Sequence, residues 1–189
     1  MTRKRACRRT NNTRARLRCA LIGALTGLLV AAAGARGADR RDPEPLVGRA
    51  HVIDGDTLDL VTQGLAGARL IRLAGIDAFE RDQPCRNGAE LVPCGGAATA
   101  FLASLAETRL LACTWRAKDR YDRFLGTCYA DGMNLNEAMV HAGWALAYSR
   151  YSLRYHRAEA LARQTHAGAW AFDFIAPEAW RRLGPASMP

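Results

Sequence analysis

No aspartate or glutamate occurs before Asp39, and that absence organises the charge of the whole chain. Nine of the 27 Lys and Arg residues fall within 1–37, so the rest of the 189-residue sequence carries 18 basic and 18 acidic groups and is neutral. The net charge of +9 therefore belongs to the N-terminal segment. A neutral domain has no strong steering field, so global charge gives no argument for a nucleic-acid partner. Long apolar runs are also missing. Cys19 to Ala33 is apolar over 15 residues, short of the roughly 20 that a helical membrane span needs. The four histidines, His51, His141, His156 and His166, are scattered and suggest no metal cluster. No internal repeat is present, and no low-complexity tract beyond the tail. A hydrophobic content of 49% excludes disorder.

The beginning of the chain reads as an address. Eight basic residues between Arg3 and Arg18, the apolar run, and the small residues Gly34 to Ala38 have the order of a secretory signal peptide over 1–37. Cleavage after Ala35 or Gly37 fits that pattern. An uncleaved anchor is the alternative, and the short apolar run argues against it. The expected product is exported, periplasmic or secreted, with no stable membrane association, and monomeric. Residues 38–46 form a polar leader, 47–172 the domain, and 173–189 a tail in which Arg181-Arg182 are expected to be solvated.

Cysteine usage agrees with export. Cys85, Cys94, Cys113 and Cys128 remain after the signal, an even number suggesting two disulfides among three pairings. Spacings of nine and fifteen lack the tight Cys-x-x-Cys knuckles of a zinc site. Cys113 and Cys128 are placed symmetrically about the polar turn Lys118–Arg123, so they face each other in a simple hairpin. That favours Cys113–Cys128 with Cys85–Cys94.

Apolar alternation predicts strands at Arg49–Ile53, Thr57–Val61, Arg69–Ile76, Leu110–Arg116 and Phe124–Tyr129. Asp54-Gly55 is a turn signal between the first two. Helices are expected at Ala97–Glu107, from Asn134 or Asn136 through His141, and at Ser152–Ala167. Residues 81–96 read as a loop stapled by Cys85 and Cys94. The element order suggests an α+β fold, a five-stranded OB-type β-barrel with three α-helices. Arg72, placed among apolar neighbours, needs a partner or ligand. The tryptophans Trp115, Trp144, Trp170 and Trp180 read as packing.

Three stretches combine chemically: Ile53–Thr57 (IDGDT), Ile71–Glu80 (IRLAGIDAFE) and Asp119–Arg123 (DRYDR). Cleaving a phosphodiester needs a cation to neutralise the phosphate, donors to hold its oxygens, and a base for water. Asp56 and Asp77 offer hard oxygens suited to Ca²⁺. Arg72 and Arg123 offer bidentate clamps, and Glu80 a base. Arg116, Lys118, Arg120 and Arg123 gather on one hairpin as a candidate basic rim for nucleic acid.

In order and spacing these stretches resemble the staphylococcal-nuclease-like (thermonuclease) family over roughly 47–171. Asn136-Glu137-Ala138 with Gly143, and Ala167–Trp170, extend the resemblance. It implies an OB barrel with three helices and Ca²⁺-dependent hydrolysis of DNA and RNA leaving 3′-phosphate ends. It further implies that Asp56, Asp77 and the backbone carbonyl of Ala78 bind calcium, with Asp54 an acidic neighbour just outside. Glu80 corresponds to the base, and Arg72 and Arg123 to the phosphate arginines. Tyr121 and Tyr148 correspond to positions beside the nucleotide, and Arg120 joins them on the substrate side. Departures are Ala78-Phe79 where the family has Thr-Pro, Asp122 where it has glycine, a longer 81–96 loop, and Ser149-Arg150 in place of a second tyrosine. Two other readings stand beside the enzyme: a non-catalytic OB module binding nucleic acid or protein, and a structural domain using Ca²⁺ for stability.

Overall fold

The structure, a computed structural model, describes residues 42–62, 67–148 and 153–184. The expected signal peptide and the first four leader residues lie outside that range. The chain runs through β1 (Leu46–Asp54), β2 (Thr57–Thr62) and β3 (Ala68–Leu73), then β4 (Ile76–Ala78). A small hairpin follows, β5 (Cys85–Asn87) and β6 (Glu90–Val92), leading into α1 (Cys94–Ala106). β7 (Leu110–Lys118), β8 (Phe124–Ala130) and the two-residue β9 (Met133–Asn134) precede α2 (Leu135–His141) and β10 (Ala145–Ala147). Last come α3 (His156–Gln164), one 3₁₀ turn at Gly168–Ala171, and α4 (Pro177–Leu183).

β1, β2 and β3 form an antiparallel meander, β1 also pairs with β7, and β7 with β8. β3 then pairs with β8 in parallel, which closes the five strands into an OB-type barrel. Closure removes the unpaired edges that an open sheet would leave. Period-two alternation decides what fills it: Leu58 and Leu60 on β2, Ile71 and Leu73 on β3 are completely buried. α1 supplies Ala98 and Leu102, and α2 supplies Leu135 and Met139, to the same core.

The fold differs from expectation in three places. The predicted third strand, Arg69–Ile76, is broken at Ala74-Gly75, where Gly75 takes φ 76°. The left-handed turn lets β4 leave the barrel and pair with β10, Leu146 opposite Asp77. The expected loop at 81–96 contains the β5–β6 hairpin. Among the described residues there are four α-helices rather than three, because the segment expected as a tail forms α4.

Asn134 rather than Asn136 caps α2, accepting the Glu137 amide at 3.2 Å. Asn136 is instead a buried cross-link. Its Oδ1 accepts the Cys128 N–H at 3.1 Å, while Nδ2 donates to the carbonyls of Ala74 at 2.9 Å and Gly126 at 3.0 Å. One side chain thus ties α2, β8 and the turn before β4. Both expected disulfides are present, Cys85–Cys94 and Cys113–Cys128, the latter directly opposed in the β7–β8 register. Closing fifteen residues restricts the unfolded chain, so replacing Cys113 and Cys128 together with alanine should lower the unfolding free energy by about 3 kcal/mol. Urea denaturation of the double variant measures this; an unchanged midpoint contradicts it.

Candidate active site

The turn between β1 and β2 brings the first acids into place. Asp54 Oδ1 accepts the Asp56 N–H at 3.0 Å. Gly55 is required between them because a Cβ there would sit 2.7 Å from that of Ala78. Asp56 is therefore pressed under β4, where its Oδ2 accepts the Ala78 N–H at 3.2 Å. Its Oδ1 accepts the Thr57 hydroxyl at 3.1 Å and Nη1 of Arg72. Arg72, the arginine that needed a partner, reaches on to Asp77 Oδ1 through Nη2 at 3.2 Å.

Asp77 has a second arginine. Arg181 on α4 donates Nη1 to Oδ1 at 2.9 Å and Nη2 to Oδ2 at 3.0 Å, and Nη1 also reaches Glu80 Oε1 at 2.6 Å. Asp56, Arg72, Asp77, Arg181 and Glu80 thus form one alternating chain of charge. The expectation that Arg181-Arg182 lie in a solvated tail is corrected for Arg181, because α4 packs its Trp180 at 5% exposure and turns Arg181 onto the acids.

Gln83 holds the Glu80 segment. Fully buried, it accepts the Glu80 N–H on Oε1 at 3.1 Å and donates Nε2 to the Ile175 carbonyl at 2.6 Å. Its own backbone N–H donates to the Glu80 carbonyl at 2.8 Å. Phe79, where the family pattern has proline, is buried edge-on against Phe174 at 5.0 Å. Packing and Gln83 hold a turn that proline would otherwise stiffen. α1 begins hard against it: a Cβ on Gly95 would fall 1.6 Å from the Glu80 carbonyl oxygen.

The β7–β8 tip is built on Asp119. Its carboxylate accepts the amides of Tyr121 (2.8 Å) and Arg123 (3.1 Å), and Nε of Arg123 at 2.8 Å. Arg123 Nη1 also approaches Thr57 Oγ1 at 3.5 Å. Asp122 takes φ 63°, the conformation for which glycine is commonly used. Its side chain turns to Lys118 Nζ at 2.7 Å. Tyr121 is 62% exposed, and its hydroxyl accepts Arg120 Nη2 at 2.7 Å.

These groups surround a cleft of about 800 Å³. Asp54, Asp56, Arg72, Ala78, Glu80, Arg120, Tyr121, Arg123 and Tyr148 all line it. Asp77 does not, but its two arginine partners do. Sequence reasoning missed Asp119, Gln83, Glu178, Arg181 and Arg182. Of these, Asp119 carried a signal, standing four residues before Arg123 in the same charged turn.

Burial pushes the Asp56 carboxyl up to about 7; Arg72 pulls it down, while Asp54 and Asp77 push it further up. For Asp119, burial raises the pKa but the bonds from Arg123 and the Tyr121 amide prevail and hold it low. Burial acts against the charged form of Arg181, yet Asp77 and Glu80 raise its pKa. Among the described residues no three His, Cys, Asp or Glu side chains are gathered as a ready metal cage. The donor chemistry nonetheless fits a hard divalent cation. Asp56 and Asp77 present carboxylate oxygens bridged by one guanidinium, and buried Asp56 lacks enough positive charge to keep an ordinary acid pKa.

A closed OB-type barrel carrying acids and arginines in one cleft defines the class: an α+β domain with a cleft lined by charges of both signs. Residues 70–172, more than half of the chain, match the staphylococcal nuclease homologue family, and the chain belongs to it. It is 37% identical over 132 residues to the succinoglycan biosynthesis protein ExoI of Rhizobium meliloti (strain 1021), spanning 67% of this chain and 65% of that protein. The match therefore spans just under two thirds of that relative's length. An uncharacterized endonuclease of Escherichia coli O157:H7 is 37% identical over 137 residues, 69% of this chain and 81% of that one. A micrococcal nuclease of Shigella flexneri is 32% identical over 144 residues, 69% and 76% respectively.

Two outcomes follow from the site. An acid whose pKa is higher folded than unfolded binds extra protons in the folded state, so its contribution to stability is lost as pH rises between the two values. For Asp56 that window runs from 3.8 to about 7. Metal-free wild type should therefore lose more melting temperature than Asp56→Asn between pH 4 and 7. Parallel curves in calorimetry would remove the burial explanation. Gln83→Ala leaves the Glu80 amide and the Ile175 carbonyl unpaired, and should cost about 2–6 kcal/mol at roughly 1–3 per stranded group, read by urea denaturation.

Proposed function

We propose that the protein is a Ca²⁺-dependent nuclease that hydrolyses phosphodiester bonds of DNA, RNA or both and leaves 3′-phosphate ends, acting as an exported monomer. What carries the reading is convergence: Asp56, Arg72, Glu80 and Arg123, from separate stretches, line one cleft, and Asp77 is ion-paired to its wall, in a chain of the staphylococcal nuclease homologue family. The two disulfides agree with an oxidising, exported compartment. Among the described residues no helix is long and apolar enough to cross a membrane.

Asp56, Asp77 and the Ala78 carbonyl would hold Ca²⁺, with Asp54 bracing Asp56 through its amide. Bound there, the cation would neutralise phosphate charge and offset the repulsion of an incoming nucleophile. Arg72 and Arg123 clamp the non-bridging phosphate oxygens, exchanging carboxylate partners for the substrate. Glu80 removes a proton from the attacking water; the water oxygen bonds to phosphorus as the P–O5′ bond breaks, and the departing 5′ oxygen takes a proton from solvent water to leave as a hydroxyl. Thr57 and Asp119 hold Arg123 toward the cleft. Tyr121, Tyr148 and Arg120 form the wall along which the nucleotide rests.

The test is cleavage of plasmid DNA and of RNA by oxidised protein, with Ca²⁺ or with chelator. Glu80→Gln and Arg72→Ala, each verified as folded, should lose roughly two to three orders of magnitude in rate, the scale of a base or a charge clamp. Near-wild-type cleavage by either variant overturns the assignment. Binding of nucleic acid by wild type without cleavage would instead identify an OB binding module.

A further inference from the structure

α4 is the part of the molecule that neither the sequence motifs nor the family match accounts for, since the match ends at residue 172. Its Arg181 nevertheless makes three of the bonds in the site. We propose that Arg181 is an internal cation seated on the acids of the metal site, a latch that must release Asp77 before a divalent ion can be bound there. The proposal rests on the metal role assigned above to Asp77.

Asp77 has few lone pairs left to give. Its Oδ1 accepts both Arg72 Nη2 (3.2 Å) and Arg181 Nη1 (2.9 Å), and its Oδ2 accepts Arg181 Nη2 (3.0 Å). A divalent ion needs one of these oxygens and repels the guanidinium that holds them. Protonation cannot settle the contest, because arginine keeps its charge throughout the range in which proteins are folded. Arg181 and the metal therefore compete for the same atoms. The third bond, to Glu80 Oε1 at 2.6 Å, also ties up the proposed base until the latch opens.

The fold delivers this guanidinium. The backbones of Arg86 and Asp173 bond in both directions, at 2.8 and 3.0 Å. Phe174 stands edge-on to both Phe79 (5.0 Å) and Trp170 (4.9 Å). Gln83 then takes the Ile175 carbonyl, and buried Trp180 seats the helix. Arg86 belongs to the strand stapled by Cys85–Cys94. The Arg181 side chain itself is 38% exposed, so it has a way out by rotamer change while α4 stays docked.

A site that is open for only a fraction of the time binds its ligand more weakly by that fraction, so a latch closed nine-tenths of the time costs about tenfold in apparent affinity. Titration calorimetry of Ca²⁺ into the full oxidised protein reads this directly, without activity. Arg181→Ala should bind Ca²⁺ about tenfold more tightly than wild type, and Arg181→Lys, which keeps the charge but loses the fork, should fall between. Equal or weaker binding by Arg181→Ala overturns the latch while leaving the metal reading intact. No binding by either protein removes the metal reading, and the competition with it. Should Arg181→Ala fail to fold, ¹⁵N NMR of the arginine side chains in wild type decides. Saturating Ca²⁺ should shift the Arg181 guanidinium signal to that of a free side chain, and an unmoved signal refutes the proposal.

Discussion

Charge compensation within one cleft governs this structure. Asp56, Asp77 and Glu80 are brought together by a barrel that buries the first two, and burying carboxylates without compensation is costly. Arg72 and Arg181 supply the compensation from inside the chain, and Arg123 is matched separately by Asp119. Asp56, Asp77, Glu80 and Arg123 thus each have an internal partner. The two guanidinium groups offset most of the charge of the three acids, and under the proposed function they would give way to a phosphate and a cation. Asp56 shows how near the limit it is, since even Arg72 does not return its acid strength to the ordinary range.

Backbone placement, more than side-chain identity, makes the convergence possible. Gly55 lets the β1–β2 turn pass under Ala78, and the left-handed turn at Gly75 diverts β4 from the barrel toward β10. Asn136 clamps that turn to α2 and β8, and Gln83 clamps the next one to the C-terminal segment. Each amide side chain uses both its donor and its acceptor in the interior, where an unmade bond would be expensive. Loss of such a clamp would move Asp77 or Glu80 without touching either residue.

The barrel was legible in the sequence because period-two burial is a local property: Leu58, Leu60, Ile71 and Leu73 announce their faces wherever they sit. The Cys113–Cys128 bridge was legible because a hairpin turns sequence symmetry into spatial opposition. Asp54, Asp56, Arg72, Glu80 and Arg123 were legible as motifs, and they do line one cleft. The break at Gly75 was not, since alternation continues across Ala74 and nothing local reports which partner strand β4 will choose. Arg181 was invisible for a different reason. Two arginines near a chain end look solvated unless tertiary packing places acids opposite them, and those acids lie about a hundred residues earlier.

Phe79 links the departure from the expected motif to the C-terminal helix α4. A proline there would stiffen the turn before Glu80 from within, through its own ring. A phenylalanine stiffens nothing by itself and presents an apolar face that must be covered. Phe174 covers it, and Trp170 covers Phe174 in turn. Once Phe174 is held, the next residue offers its carbonyl to Gln83, and α4 follows within two residues. The turn that aims Glu80 and the helix that carries Arg181 are therefore one packing unit. In it the rigidity of the proposed base depends on the same contacts that bring the competing guanidinium to the acids.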